Sequence, residues 1–211
     1  MTRVLISGFD PQWGIHKSPS GDLAKIWLNK EVCVPDVEVH AIVLPQVFGK
    51  SSEILKAEAF LFQPDFILMY GATQKESPIR FERFALNIID TVMGGNDKIP
   101  VLDTKVLHNG PAAYESNLPI KALVEHLKNV NISAIPSYSA GQHTCNELFY
   151  QMMHWLSFNP LSKSVGICFI HMAFPNNYGV IEDRNWKTPD FPELVRASME
   201  TVKFLSRFKA V

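Results

Sequence analysis

The sequence has few cysteines, no excess charge of either sign and no long apolar run. Its 211 residues include three cysteines, 20 basic and 21 acidic residues, which give a formal net charge of −1. Three scattered cysteines are too few for a disulfide framework and are typical of a reducing compartment. Balanced charge offers no basic surface to nucleic acid, and no apolar run approaches the roughly 20 residues of a membrane-spanning helix. We therefore expect a cytoplasmic protein that binds neither nucleic acid nor membrane.

Short apolar segments alternate with amphipathic ones along the chain. The predicted strands are Val4 to Ser7, Val37 to Leu44, Phe66 to Tyr70 and Val165 to Ile170. The predicted helices are Gly21 to Asn29, Ser51 to just before Pro64, Leu118 to Leu127 and Phe191 to Phe208. This alternation predicts an α/β protein whose chain begins with a strand rather than a signal peptide. With 46% hydrophobic residues and no obvious linker, we expect one domain over 1–211.

Cys145 lies where a strand is predicted to give way to a helix. Ser133 to Tyr138 is extended in character, Gly141 permits a sharp turn, and Glu147 to Trp155 is predicted to be helical. Free N–H groups in a first helical turn stabilise a thiolate and can bind an oxyanion. Cys145 is therefore the candidate nucleophile. The other two cysteines are assigned no catalytic role, since Cys168 falls on a predicted buried strand.

Ligands of α/β sheets bind beyond the carboxyl ends of the strands. Three segments follow predicted strands: Phe9 to Gly14, Gly71 to Pro78, and His171 with the turn after it. We expect them to meet Cys145 at one edge of the sheet, with His171 as the general base. His143 is the local rival, but two residues before Cys145 its side chain is expected to diverge from the thiol.

Glu82 supplies a carboxylate on an apolar row. If Ile79 to Ile89 is one extended strand, Glu82 shares a face with Phe84 and Leu86. Two interpretations remain open. Glu82 could form an ion pair with a neighbouring arginine, Arg80 or Arg83. Alternatively, it could accept a hydrogen bond from His171 and fix the tautomer of the imidazole.

Several short motifs occur in order across nearly the whole chain. They are Gly8-Phe9-Asp10-Pro11, Phe81-Glu82-Arg83-Phe84-Ala85-Leu86-Asn87, Gly110-Pro111-Ala112-Ala113-Tyr114, Leu118-Pro119-Ile120-Lys121, Ser139-Ala140-Gly141, Cys145-Asn146 and Phe169-Ile170-His171. Through these motifs the sequence resembles the pyroglutamyl peptidase I family of cysteine peptidases. The resemblance implies a triad of Cys145, His171 and Glu82 in a three-layer α/β/α sandwich with a mostly parallel, twisted central sheet. It also implies no cofactor or metal, removal of an amino-terminal pyroglutamyl residue from peptides, and a homotetramer.

The departures from the family pattern fall in segments that face the substrate. Gln12 stands where family members commonly have Phe, and Lys75-Glu76 replaces a usual Gly-Arg. Gln142, His143 and Thr144 replace aromatic and aliphatic residues. In the family these positions, with Phe9, help to form the slot for the pyrrolidone ring. We therefore expect Phe9, Gln12, Gln142, His143 and Thr144 to contact substrate in a more polar pocket.

Two other classes of protein are compatible with the same residues. One is a catalytically weak or inactive binding protein on this scaffold, which the intact triad disfavours. The other is a metal-dependent hydrolase that uses His143, Cys145 and His171, although their spacing matches no strong zinc pattern.

Overall fold

A computed structural model describes residues 1–12, 15–73, 78–159, 165–175, 178 and 188–208. In these residues the strands β1 to β10 are Thr2–Phe9, Val37–Leu44, Phe66–Thr73, Ile79–Glu82, Phe84–Leu86, Ile89–Thr91, Val101–Thr104, Ala113–Glu115, Ala134–Ser137 and Gly166–Ala173. The helices α1 to α5 are Pro19–Leu28, Lys50–Phe62, Ile120–Asn129, Thr144–Phe158 and Phe191–Arg207. Among these helices, none combines the length and apolar character that a membrane crossing requires.

Six strands form the central sheet in the order β2-β1-β3-β10-β4-β9. The first four strands in this order are parallel to one another, whereas β4 is antiparallel to β10 and parallel to β9. The remaining strands form two small antiparallel sheets, β5 with β8 and β6 with β7. The predicted mostly parallel sheet is thus confirmed, and β10 lies near its middle.

Helices cover both faces of this sheet. Residues that alternate along β1, β3 and β10 divide between two apolar clusters. One face packs against α1, α3 and α5 and includes Ile6, Leu68 and Cys168. The other face packs against α2 and α4 and includes Leu5, Met69 and Phe169. The predicted α/β/α sandwich is confirmed, and we refer to these surfaces as the α1/α3/α5 face and the α2/α4 face.

The segment 79–89 is not one strand, so that prediction is wrong. The chain leaves the central sheet at Arg83, whose N–H donates to Ser137 O (2.7 Å) and whose carbonyl accepts from Ser116 N (2.8 Å). After this break, β5 pairs with β8 in a separate sheet. Glu82 is fully buried while Phe84 is half-buried, so the two side chains do not share one apolar row.

The strands β3 and β10 each run three residues further than the apolar sequence predicted. Gly71, Ala72 and Thr73 pair in register with His171, Met172 and Ala173. Pairing between the two strands supplies main-chain hydrogen bonds that extend both of them. His171 is therefore inside a central strand rather than at its last position.

Candidate active site

Cys145 is the second residue of α4, which confirms its predicted place in the first helical turn. Gly141 has φ of 84°, in the left-handed region that favours glycine, and lets the chain turn from β9 toward the helix. The next residue, Asn146, fixes the helix start against β5, since its amide accepts from Leu86 N and donates to Leu86 O, both at 2.8 Å. Cys145 is 9% exposed.

Gly71 brings the thiol close to the sheet. A Cβ at this position would lie 3.0 Å from Cys145 Sγ and 2.8 Å from the Phe169 ring, so only glycine leaves space for the helix. Gly71 is also the register partner of His171. Because His171 is two residues from Phe169, it faces the same side of the sheet. Cys145 Sγ therefore lies on the α2/α4 face, above the pairing of β3 with β10.

His171 and Glu82 form a buried pair across β10 and β4. The distance from His171 Nδ1 to Glu82 Oε1 is 2.8 Å, and the residues are 6% and 0% exposed. A carboxylate only accepts, so Nδ1 donates its proton and Nε2 is the basic nitrogen. Arg80 Nε lies 3.7 Å from the same carboxylate oxygen, whereas Arg83 pairs with Glu115. Glu82 thus has both partners that the two interpretations proposed, His171 and Arg80.

The surroundings of Cys145 set its protonation state. Burial raises the pKa of the thiol to about 12, and the Glu82 carboxylate acts in the same direction. The helical N–H of Cys145, the Arg80 guanidinium and the Thr144 hydroxyl each lower this pKa, but they do not offset the burial. These surroundings together favour the protonated thiol.

A small cavity opens beside the thiol. Its lining residues are Phe9, Asp10, Gln12, Lys17, Ser18, Ser20, Gln46, Ala72, Cys145 and Phe174. Ser18 Oγ donates to Phe9 O at 2.7 Å, and Phe9 N donates to Ser20 Oγ at 3.2 Å. These two bonds fix Phe9 at the cavity wall. They also occupy its N–H, which is therefore not free to bind an oxyanion.

Of the five residues predicted to contact substrate, Phe9 and Gln12 line this cavity. Gln142 is exposed, and its carbonyl accepts from Asp90 N. His143 is half-buried, and Thr144 is fully buried. Neither these two nor Gln142 is among the described lining residues, and a substrate contact by any of them stays a prediction. Trp13, Gly14 and Lys75-Glu76 lie outside the described residues.

Sequence reasoning missed Gln46, and it named Arg80 only as a possible ion-pair partner of Glu82. Gln46 lines the cavity and donates from Nε2 to Thr144 Oγ1 at 3.1 Å. It follows β2 directly after Pro45, so the rule that singled out the ends of other strands would have found it. Arg80 is the register partner of His171 on β4, a relation that no local pattern reveals. Across the described residues, no three His, Cys, Asp or Glu side chains converge as a metal site.

A thiol at a helix start, beside a histidine that a buried carboxylate orients, is the arrangement of a cysteine hydrolase. A family model for pyroglutamyl peptidase matches residues 2–203. The chain belongs to the pyroglutamyl peptidase family.

Relatives agree with this assignment. Pyrrolidone-carboxylate peptidases of Bacillus cytotoxicus and Brevibacillus brevis are 36% and 37% identical to this chain over 174 residues, which cover 82% of this chain and 79% of each relative. The crystal structure of the pyrrolidone carboxyl peptidase of Fervidobacterium islandicum superposes with a TM-score of 0.90. It is 30% identical and covers 99% of this chain and 100% of its own.

Proposed function

We propose that this chain hydrolyses the amide bond after an amino-terminal pyroglutamyl residue of peptides. Cys145 is the nucleophile, His171 the general base and acid, and Glu82 the group that orients His171. The observation that carries this proposal is the 2.8 Å pair of His171 Nδ1 and Glu82 Oε1 on the face where Cys145 Sγ meets Gly71. Membership of the pyroglutamyl peptidase family supports the substrate class.

Acylation begins with attack of Cys145 Sγ on the carbonyl carbon that follows the pyrrolidone ring. Because the pKa of the thiol is raised to about 12, His171 Nε2 takes the thiol proton as the S–C bond forms. The Cys145 N–H, at the amino end of α4, binds the developing oxyanion in this proposal. His171 then gives the proton to the departing amine, the C–N bond breaks, and a thioester remains.

Deacylation uses the same groups in reverse. A water molecule attacks the thioester carbonyl while His171 Nε2 accepts one of its protons. The C–S bond breaks, the proton returns to sulfur, and pyroglutamate leaves as a free acid. The Glu82 carboxylate keeps Nδ1 of His171 hydrogen-bonded and stabilises the transient imidazolium.

Hydrolysis of pyroglutamyl aminomethylcoumarin, measured by fluorescence beside prolyl, alanyl and glutaminyl amides, tests the proposal. We expect the pyroglutamyl amide to be cleaved and Cys145→Ala to abolish its cleavage. The matched control is Cys33→Ala, which removes an exposed thiol and should leave the rate unchanged. Failure of the folded wild-type protein to cleave the pyroglutamyl amide would support the inactive binding protein instead.

We also propose a homotetramer. Apolar side chains are exposed around the β6–β7 hairpin, where Val92, Met93, Ile99 and Leu102 are between 51% and 74% accessible. Exposed apolar surface of this kind is typical of association between subunits. Light scattering after size exclusion should give about four times the 23.8 kDa of one chain. A monomer mass at micromolar concentration would contradict the proposal.

A cytoplasmic location is proposed from the cysteines. Cys33, Cys145 and Cys168 are all free thiols, which is typical of a reducing compartment. Mass spectrometry of protein isolated without reductant should find all three unpaired. A native disulfide between any two of them would argue for an oxidising compartment.

A further inference from the structure

The turn between β6 and β7 packs against the loops that form the cavity beside Cys145. We call residues 92–100 the β6–β7 turn, in which Gly94 and Gly95 are buried and Asn96 is half-buried. We propose that Asn96 is a positioning residue for substrate recognition, which joins the loops after β1 and β2 that carry the cavity residues Asp10 and Gln46. The inference rests on the proposed function, but one of its two measurements needs no substrate.

The side chain of Asn96 holds the loop after β1. Its Nδ2 donates to Asp10 Oδ1 at 2.9 Å and to Pro11 O at 3.2 Å. The Pro11 carbonyl oxygen can only accept, so the nitrogen of the Asn96 amide, rather than its oxygen, faces this loop. The central sheet contains β1 but not β6. This amide is therefore a direct link between the β6–β7 turn and the loop that follows the first strand.

The main chain of Asn96 holds the loop after β2. Its N–H donates to Gln46 O at 2.7 Å, and Gln46 N donates to the same Asp10 Oδ1 at 2.9 Å. Gly95 permits this close approach, since a Cβ there would lie 2.5 Å from Gln46 O. Asp10, Gln46 and Asn96 are thus joined in a closed ring of three hydrogen bonds.

This ring fixes two residues of the cavity wall. Asp10 and Gln46 line the same cavity as Cys145, whereas Asn96 is not among its described lining residues. The Gln46 side chain also donates from Nε2 to Thr144 Oγ1 at 3.1 Å, at the start of α4. A shift of the ring would therefore move the wall against which a substrate lies. Asn96 acts on the substrate through Asp10 and Gln46.

Loss of the ring should weaken substrate binding rather than slow the chemistry. A displaced cavity wall weakens the ground state and the transition state alike, which raises KM and leaves kcat unchanged. General destabilisation has a different signature. An unfolded fraction lowers the concentration of active enzyme, so the apparent kcat falls while KM is unchanged. The ratio of the two effects therefore separates a positioning role from a merely structural one.

The first measurement is steady-state hydrolysis of pyroglutamyl aminomethylcoumarin. Asn96→Ala removes the side-chain amide and keeps the main-chain N–H, so KM should rise about tenfold while kcat stays within about twofold of wild type. The matched control is Asn117→Ala. The Asn117 amide also makes two hydrogen bonds, donating to Val165 O at 2.7 Å and accepting from Ile167 N at 2.9 Å, but it does not line the cavity. Its loss should leave KM unchanged.

A double-mutant cycle tests whether Asn96 acts through Asp10. Asn96→Asp nearly preserves the shape of the side chain but places an oxygen against two acceptors, so KM should rise about tenfold. In an Asp10→Asn background the amide of residue 10 can donate to the new carboxylate, and its oxygen still accepts from Gln46 N. Asn96→Asp should therefore not raise KM in that background. An equal rise in both backgrounds would overturn the proposal.

The second measurement is hydrogen exchange followed by mass spectrometry. In Asn96→Ala, peptides covering residues 44–48 should exchange about tenfold faster, while those covering β10 should be unchanged. Asn117→Ala should do the reverse, because Asn117 Oδ1 accepts from Ile167 N in β10. Unchanged exchange of residues 44–48 in Asn96→Ala would contradict the proposal. A loss of kcat at constant KM would contradict it as well.

Together the measurements distinguish this inference from the proposed function. If wild-type protein fails to cleave the pyroglutamyl amide and Asn96→Ala exchanges faster at residues 44–48, only the proposed function is contradicted. If wild-type protein cleaves it and Asn96→Ala has the same KM, only the role of Asn96 is contradicted. If Asn96→Ala does not fold, Gly95→Ala replaces it in both measurements, because a Cβ there displaces the turn from Gln46 O.

Discussion

Each face of the central sheet has a buried cysteine near Glu82, and only one of the two is placed to react. Cys168 is 0% exposed on the α1/α3/α5 face, with Sγ 3.6 Å from the Glu82 carbonyl oxygen. Cys145, on the α2/α4 face, is 9% exposed and lines a cavity. Burial raises the pKa of both thiols. The two thiols differ in position, because Cys145 lies at the start of α4 and lines a cavity, whereas Cys168 lies inside the central strand β10.

Among the described residues, the two buried carboxylates and His171 lie on the α2/α4 face. Glu82 and His171 point to this face, and Glu147 lies on α4 next to Cys145. Burial of such groups costs stability unless each has a partner. On this face Glu82 and His171 are each other's partners, whereas Glu147 Oε2 has no hydrogen-bond partner among the described residues.

The largest expected difference in activity is between two Cys→Ser variants, one on each face of the sheet. Cys145→Ser should lower kcat/KM by roughly a thousandfold or more, because a hydroxyl is much harder to deprotonate than a thiol. Cys168→Ser should keep kcat/KM within severalfold and lower the free energy of unfolding by about 1–2 kcal/mol. Kinetics and denaturant unfolding of both variants measure this. If the Cys168→Ser protein is folded and stable but inactive, Cys168 rather than Cys145 is the nucleophile.

The Glu82→Gln variant should separate two effects of the Glu82 carboxylate, which orients His171 and raises the pKa of Cys145. We expect turnover to fall on the order of a thousandfold, since the amide no longer fixes the His171 tautomer. At the same time the pKa of Cys145 should fall, because Glu82 raises it, and alkylation should begin at lower pH. Glu115→Gln, at an exposed carboxylate, is the matched control and should change neither quantity. Loss of turnover without a shift in the pH profile of alkylation would contradict the claim that Glu82 raises the pKa of Cys145.

Glu147→Gln should relieve the cost of a buried charge on the α2/α4 face. Burial raises the pKa of Glu147 from 4.5 to about 7, so the folded state binds the proton more tightly than the unfolded state. Stability is then complete below about pH 4.5 and declines as pH rises through about 7, by on the order of 3 kcal/mol. The variant should have a Tm several degrees higher at about pH 8 and little changed at about pH 4.5. Equal Tm differences at both pH values would contradict this explanation.

Gln12→Phe tests the polar cavity and has the smallest expected effect. Gln12 is half-buried beside Cys145, and one added ring contact is worth about 1–2 kcal/mol. The kcat/KM for pyroglutamyl amide should rise about tenfold. Gln12→Asn changes the side chain without adding apolar surface and should give no gain. If wild type and Gln12→Phe have equal kcat/KM, residue 12 does not limit recognition.

The helices and strands that could be predicted are those whose bounds are set by residues close to them in sequence. The β2 strand, Val37–Leu44, has the predicted bounds, because an apolar run ends at Pro45. The place of Cys145 in the first turn of α4 followed from Gly141 and the helical segment after it. The break at Arg83 could not be predicted, since it depends on hydrogen bonds to Ser137 and Ser116, far along the chain.

The same distinction holds for the site. Cys145, His171 and Glu82 were predicted from a helix start, a strand end and an apolar row, and their catalytic roles stay predictions. The structure pairs His171 with Glu82 on the face of the sheet where Cys145 Sγ lies. The contact of Gln46 with Thr144 spans 98 positions in sequence and depends on how the loop after β2 meets α4. The thiol pKa likewise depends on burial by several elements, which no single segment determines.

The position of β10 has a consequence for synthesis of the protein. β10 lies between β3 and β4 in the sheet, yet it is made after both of them. Until residue 173 leaves the ribosome, the three strands β2-β1-β3 and the pair β4-β9 have no strand to join them, and Glu82 has no His171 to orient. The nascent chain therefore stays inactive until β10 has been synthesised. On refolding, activity should return when β10 inserts between β3 and β4, rather than when the helices form.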